Sequence, residues 1–287
     1  MWQWGAVLLA GALFGRLCRW SAPRLVDLED RTPPFRGGWW ELLNGLTFLW
    51  LWTQLGHEVS SLKWYVLAGL LLLLTATDFH TKLIPDRVTY PGAIAGILLS
   101  AIWPGDVTAF FHHASLGRWL GIQDPQALGA VVSVCGALAG FLSLELFRRC
   151  FGLLAGLEVI GMGDCKLLLM TGAFLGPEMV LFSVVPGVFC GLVLGTAYTW
   201  CVRTPHFPFG PALGLGALVA LVYSTTLIRW ITEASAWFVS LGPGLHLGLM
   251  IVLTILMILL VLRIRRRAAE YSRRIEEDYA RLDRRPP

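Results

Sequence analysis

Two aspartates, Asp78 and Asp164, are the residues most suited to chemistry in this sequence. Each lies at one end of an apolar stretch. Placing a carboxylate at membrane depth costs free energy, so such a residue is a candidate for a functional role. Pro85 follows Asp78 and stops helical continuation there. Gly161 and Gly163 precede Asp164 and allow close backbone approach. We therefore select Asp78 and Asp164 as the candidate catalytic residues.

Two carboxylates that meet can hydrolyse a peptide bond without a metal or a nucleophilic side chain. Close like charges cannot both ionise, so one acid keeps its proton while the other accepts a proton from water. That water attacks the peptide carbonyl carbon, and the protonated acid polarises the carbonyl oxygen. The sequence contains no Ser-His-Asp or Cys-His grouping, Walker loop or HExxH motif, so the aspartate pair predicts aspartic-protease chemistry.

Each aspartate taken singly also has a structural interpretation. Asp164 could cap the N-terminus of the helix that follows it, where a carboxylate is favoured. Asp78 could be a helix-end acid that pairs with Lys82. Glu41 and Glu145 are two further acids at membrane depth, to which we assign no role.

The apolar segments around these acids predict an all-α fold. Apolar residues make up 56% of the 287 residues and charged residues 15%, whereas a soluble domain carries about 25% charged residues. We expect a polytopic integral membrane bundle of about eight to nine transmembrane helices. Residues 1–262 would form one membrane-embedded peptidase domain, and 263–287 a basic, helical cytoplasmic tail. The predicted segments lie near 2–18, 40–56, 62–78, 88–104, 126–147, 164–176, 179–201, 209–228 and 236–262.

The distribution of Lys and Arg predicts the orientation of these segments. When the loop 19–39 is placed inside and the segments alternate from there, 20 basic residues lie inside and three lie outside. Positive charge marks cytoplasmic loops, so we expect an N-terminus outside and a cytoplasmic tail. Asp78 and Asp164 then share the cytoplasmic face, where they could meet.

Metal and nucleic-acid binding find little support in the sequence. The six cysteines include no CxxC pair, and we interpret them as small apolar residues. His112 and His113 are adjacent and point in different directions on any regular element, so we expect no metal. The excess positive charge lies entirely within 263–287, which favours contact with membrane lipids and not with nucleic acid.

In its two aspartate segments, the sequence resembles the type IV prepilin peptidases, which are membrane aspartic proteases of the GxGD kind. One signature segment is Asp78 with Ile84-Pro85-Asp86, and the other runs from Gly161 to Leu168 and includes Lys166. The stretches 41–46 and 208–211 are also similar. The resemblance implies that Asp78 and Asp164 are the catalytic pair. It also implies that Gly161, Gly163, Lys166, Pro85 and Asp86 support the motif without acting as catalytic acids.

The resemblance also implies a substrate and a location. Prepilins or pseudopilins would lose a short basic leader at the cytoplasmic face of the bacterial cytoplasmic membrane. Many members carry CxxC pairs in the first cytoplasmic loop and N-methylate the new terminus. The loop 19–39 has no cysteine, so we expect no cofactor, and S-adenosylmethionine only if methylation occurs. The oligomeric state is left open.

Three other interpretations compete. The segment Pro211-Ala212-Leu213 spells the signature of signal-peptide-peptidase-like intramembrane aspartic proteases, but Thr77 stands where that family has Tyr. An ion-coupled transporter could also use Asp78 and Asp164, although we see no internal repeat. An inactive assembly scaffold would not need both acids.

Overall fold

The computed structural model describes residues 2–25, 38–56, 58–104, 121–155, 160–202 and 208–240, with scattered positions between 242 and 266. The regular structure of these residues is helical. The α-helices are α1 (Trp2–Leu25), α2 (Trp39–Leu55), α3 (Leu62–Thr81), α4 (Asp86–Ile102), α5 (Pro125–Ala155), α6 (Met162–Leu175), α7 (Pro177–Val202), α8 (Gly210–Val222) and α9 (Ser224–Ser240). A short 3₁₀ helix, Val59–Ser61, precedes α3.

The predicted all-α membrane fold is confirmed. Three described helical segments are long and apolar enough to cross a membrane: Val59–Phe79, Pro125–Leu153 and Pro177–Tyr198. A fourth is added if Gly210–Val222 and Ser224–Phe238 form one broken span. The number of eight or nine crossings stays a prediction.

Most helix bounds lie within a few residues of the predicted segments, and three regions differ. The helix α1 continues to Leu25, and α5 continues through Arg148 and Arg149 to Ala155. Charged residues bounded these segments in the prediction, but a helix can extend beyond the apolar stretch because long cationic side chains reach the polar interface. The predicted segment 209–228 is broken at Tyr223, where α8 ends, and residues 229–235, predicted to lie between two segments, belong to α9.

The break between α6 and α7 agrees with the sequence. Gly176 adopts a φ of 82°, a left-handed value that glycine reaches without strain, and Pro177 begins the next helix. The helix α6 is therefore short, at 14 residues. Its two ends have very different surroundings.

The chain divides into two compact units. The first comprises Met1–Glu145 and Met162–Leu227, and the second comprises Leu146–Gly161 and Ile228–Pro287. Both candidate aspartates belong to the first unit. Within the second unit, Arg229 and Glu233 form an exposed ion pair of 3.7 Å one turn apart on α9. The division of the sequence into a peptidase domain and a tail stays a prediction.

Glycines bring the helices of the first unit into backbone contact. A Cβ at Gly11 would lie 2.8 Å from the carbonyl oxygen of Asn44, so α1 and α2 touch there. Gly216 of α8 packs directly on the backbone of Gly187 in α7. Lipid is as apolar as the side chains, so close packing, not burial from water, holds such helices together.

Candidate functional site

Asp78 lies in the last turn of α3 and is 5% exposed. The backbone N–H of Gly210, the first residue of α8, donates a hydrogen bond of 3.0 Å to Asp78 Oδ2. The main chain leaves α3 at Lys82, whose φ of 55° is left-handed and whose N–H donates to the Asp78 carbonyl oxygen at 2.8 Å. Both the side chain and the backbone of Asp78 are therefore held.

Asp164 lies in the first turn of α6 and is 9% exposed. The helix begins at Met162, so Asp164 is inside the first turn and not at the capping position. Backbone N–H groups at this end of a helix have no partner within the helix, and the helix dipole favours negative charge there. Gly161 immediately precedes the helix.

Ile84 lies between the two aspartate-bearing segments. A Cβ placed at Gly163 would lie 3.1 Å from Ile84 Cβ, and a Cβ placed at Gly210 would lie 3.3 Å from Ile84 Cδ1. Ile84 thus packs against the residue before Asp164 on one side. On the other side it packs against the residue that hydrogen-bonds Asp78. The structure brings the two signature segments together around this side chain.

An ion pair joins the same two segments. Lys166 Nζ lies 2.6 Å from Asp86 Oδ1 and 2.7 Å from Asp86 Oδ2. Asp86 is the first residue of α4, and Pro85 before it has a φ of −73°. The ammonium of Lys166 also lies 5.6 Å from the centre of the Tyr90 ring. The ion pair therefore links the N-terminal ends of α4 and α6.

Glu145 lies near the first turn of α6 from another direction. The thiol of Cys165, which directly follows Asp164, is 3.8 Å from Glu145 Oε2, and both residues are buried. This is a weak hydrogen bond, because a thiol is a poor donor. It gives Glu145, which had no assigned role, a place beside the candidate site.

Two residues at the site were missed by the sequence analysis. Gly210 was noted only as part of the stretch 208–211, but its N–H donates a hydrogen bond to Asp78. Ile84 was noted only as part of the signature. The Phe209-Gly210-Pro211 sequence was the available signal for Gly210, since a helix that begins there has free N–H groups.

The remaining candidates lie elsewhere or outside the described residues. Glu41 forms an ion pair of 3.0 Å with Arg19, which joins α2 to α1. His112 and His113 lie outside the described residues. Within the described part of the chain, no three His, Cys, Asp or Glu residues are grouped as metal ligands.

Part of the chain is similar to known proteins. Residues 65–196 match the model of the type IV leader peptidase family. The chain is 31% identical over 194 residues to the prepilin leader peptidase/N-methyltransferase of Aeromonas hydrophila, which covers 66% of this chain and 59% of that protein. The protein of the same name from Burkholderia pseudomallei (strain 1026b) is 32% identical over 192 residues, covering 64% of this chain and 54% of that protein. No solved structure matches the chain.

The family match covers both signature segments. The chain spans less than two thirds of the length of these relatives. The matched residues 65–196 contain Asp78, Asp164 and the Asp86–Lys166 ion pair. The part of the chain that carries the candidate site, residues 65–196, is therefore similar to the type IV leader peptidase family.

Proposed function

We propose that this chain is a membrane aspartic endopeptidase with Asp78 and Asp164 as its catalytic pair. The observation that carries the proposal is the packing of Ile84 between Gly163 and Gly210, because Gly163 adjoins Asp164 and Gly210 binds Asp78. Similarity to the type IV leader peptidase family supports the same proposal, since the matched residues include both aspartates. Both aspartates are buried, and burial limits the access of bulk water to an active site.

The proposed reaction proceeds by direct attack of water. One carboxylate accepts a proton from the water as the water oxygen bonds to the peptide carbonyl carbon, while the other acid gives its proton to the carbonyl oxygen. A proton then passes to the peptide nitrogen, the C–N bond breaks, and a carboxyl group and an amine are released. Gly210 N–H occupies Asp78 Oδ2, so Oδ1 is the oxygen of that carboxyl that we assign to the water.

We propose prepilins or pseudopilins as substrates, cut between a short basic leader and an apolar helix. Both relatives described above carry the name prepilin leader peptidase/N-methyltransferase. A cut after glycine fits the chemistry, because the peptide must unwind to expose its carbonyl and glycine opposes helix. The proposal covers hydrolysis; a methyl group on the new N-terminus would be seen as added mass in the same assay.

We place the active site at the cytoplasmic face of the bacterial cytoplasmic membrane, with the N-terminus outside and the tail inside. The distribution of Lys and Arg supports this orientation. Reporter fusions after residues 86, 118 and 287 test it. The first and last should report cytoplasm and the middle one the opposite side, and any other pattern contradicts the placement.

The decisive experiment incubates the purified chain in detergent with a synthetic prepilin and locates the cut by mass spectrometry. Asp78→Asn and Asp164→Asn should each lower cleavage by about a thousandfold or more, because groups that act as a unit fail together. Asp124→Asn is the matched control. Asp124 is an exposed carboxylate whose oxygens accept the N–H groups of Gln126 and Ala127 at the start of α5.

The results separate the pair from its alternatives. Near-normal cleavage by either Asp78→Asn or Asp164→Asn contradicts the catalytic pair. Asp86→Asn should keep substantial activity, since an amide oxygen can still accept a hydrogen bond from Lys166. If Asp86→Asn is as inactive as Asp78→Asn, the wrong acid has been assigned.

A further inference from the structure

The ion pair of Asp86 and Lys166 joins the two signature segments at a point that the proposed reaction does not use. These residues are 80 positions apart in sequence, and both carboxylate oxygens of Asp86 lie within 2.7 Å of Lys166 Nζ. The side chain of Lys166 is 20% exposed and that of Asp86 is 53% exposed. Such an exposed ion pair contributes little to global stability. We therefore consider its effect on the local arrangement of the two segments.

Lys166 is well placed to hold α6 without entering the site. It follows Asp164 by two residues, and side chains two apart on a helix point in different directions. Asp164 is buried while the Lys166 ammonium reaches α4. The position of the first turn of α6, and with it Asp164, therefore depends on where Asp86 is held.

The segment between Asp78 and Asp86 is stiff enough to transmit that position. Lys82 is fixed in a left-handed conformation by its hydrogen bond to the Asp78 carbonyl oxygen. Pro85 fixes its own φ at −73°. Ile84 fills the space between Gly163 and Gly210 and so limits how closely the two segments approach.

We propose that the Asp86–Lys166 ion pair is a positioning clamp that, against the Ile84 side chain as a spacer, sets the separation of Asp78 and Asp164. The ion pair draws α6 toward α4, and Ile84 stops the approach. The clamp rests on the proposed function, because its purpose is the alignment of the two catalytic carboxyl groups. Lys166 and Asp86 are positioning residues and touch no reacting atom.

The first test measures kcat and KM for prepilin cleavage by Lys166→Ala, Asp86→Ala and the charge-swapped variant Asp86→Lys/Lys166→Asp. A small misplacement of reacting groups costs up to about a hundredfold, so each single variant should lose about tenfold or more in kcat. KM and the melting temperature should stay close to the wild-type values. The swapped variant should recover most of the lost kcat, since it restores the attraction with opposite signs.

The second test needs no substrate and measures how tightly α4 and α6 pack. Thr89, one turn after Asp86, is fully buried. It lies on the face of α4 that carries Gly92 and Gly96. Those glycines pack on Met170 and Phe174 of α6. In a chain with its own six cysteines replaced, Thr89→Cys should react slowly with a maleimide. Adding Lys166→Ala should speed the reaction, and the charge swap should slow it again.

The outcomes distinguish the clamp from the proposed function. Wild-type kcat in both single variants, or a swapped variant no better than the single variants, overturns the clamp. So does a maleimide rate that Lys166→Ala leaves unchanged. If the wild-type chain cuts no prepilin while the maleimide rates respond as expected, the proposed function fails and the clamp between α4 and α6 stands as geometry.

Discussion

The two ends of α6 are held in opposite ways. At its N-terminal end, side chains make the contacts: Lys166 with Asp86, and Cys165 with Glu145. At its C-terminal end, backbones touch, since Gly172 packs directly on Gly136 of α5. The hydroxyls of Ser100 and Ser133 both donate to the Ala173 carbonyl oxygen.

The kind of contact at each end of α6 determines what that end can fix. Backbone contact at the C-terminal end leaves no room for a side chain, so it fixes the helix axes of α5 and α6. The helix α4 also packs closely at this end, but on a side chain, because a Cβ at Gly96 would lie 2.8 Å from the Phe174 ring. At the polar end the contacts are an ion pair and a hydrogen bond between side chains. In the clamp proposed above, the packed end fixes α6 in the bundle while the polar end aligns Asp164.

Among changes that keep both aspartates, the largest effect should come from filling the space beside Asp78. Gly210→Ala puts a Cβ 2.6 Å from Asp78 Oδ2, so the carboxyl group must move off the N–H that binds it. Displacement of a catalytic group on this scale should lower kcat by about tenfold to a hundredfold. Cleavage of a synthetic prepilin by the purified variant measures it.

Gly214→Ala, one turn later on α8, is the matched control for that change. Its Cβ would meet nothing closer than 3.8 Å, and alanine favours helix over glycine. Its activity should equal the wild type's. Equal activity of Gly210→Ala and Gly214→Ala would contradict the role given to Gly210.

The next effect should appear in stability and not in chemistry. Gly172→Ala at the packed end directs a methyl group into the backbone of Gly136, so α5 and α6 must separate. Overpacking of this kind costs about 1–3 kcal/mol, and thermal unfolding in detergent should show it. The kcat of the molecules that remain folded should be unchanged.

Gly152→Ala on α5 is the control for the packed end, because no atom of the described residues lies within 4 Å of a Cβ built there. It should unfold at the wild-type temperature or slightly above. If Gly172→Ala instead lowers kcat with stability intact, the division between a packed end and an aligning end is wrong.

The smallest effect should come from Cys165. A hydrogen bond contributes about 1 kcal/mol, or about fivefold in rate, and Cys165→Ser keeps a donor facing Glu145, so cleavage should change by less than about fivefold. We expect a variant with all six cysteines replaced to remain active and EDTA to leave the wild type uninhibited. Loss of activity on chelation that zinc restores would contradict this metal-independent chemistry.

Much of the local structure around the site follows from the sequence. Pro85 and the Gly176-Pro177 pair end helices because they restrict or release the backbone, and the structure has breaks at both. The apolar segments and the first-turn position of Asp164 follow from the same local rules. Helix ends that were predicted from charged residues alone were the least accurate, because α1 and α5 both continue past arginines.

Contacts between distant segments were decided by the tertiary structure. Asp86 and Lys166 were both recognised as parts of a signature, but no local rule pairs residues 80 apart. Gly210 is 132 residues from Asp78, and its N–H becomes a partner only because α8 begins beside the end of α3. Sequence periodicity fixes which residues share a helix, whereas the packing of helices on one another fixes which helix ends meet.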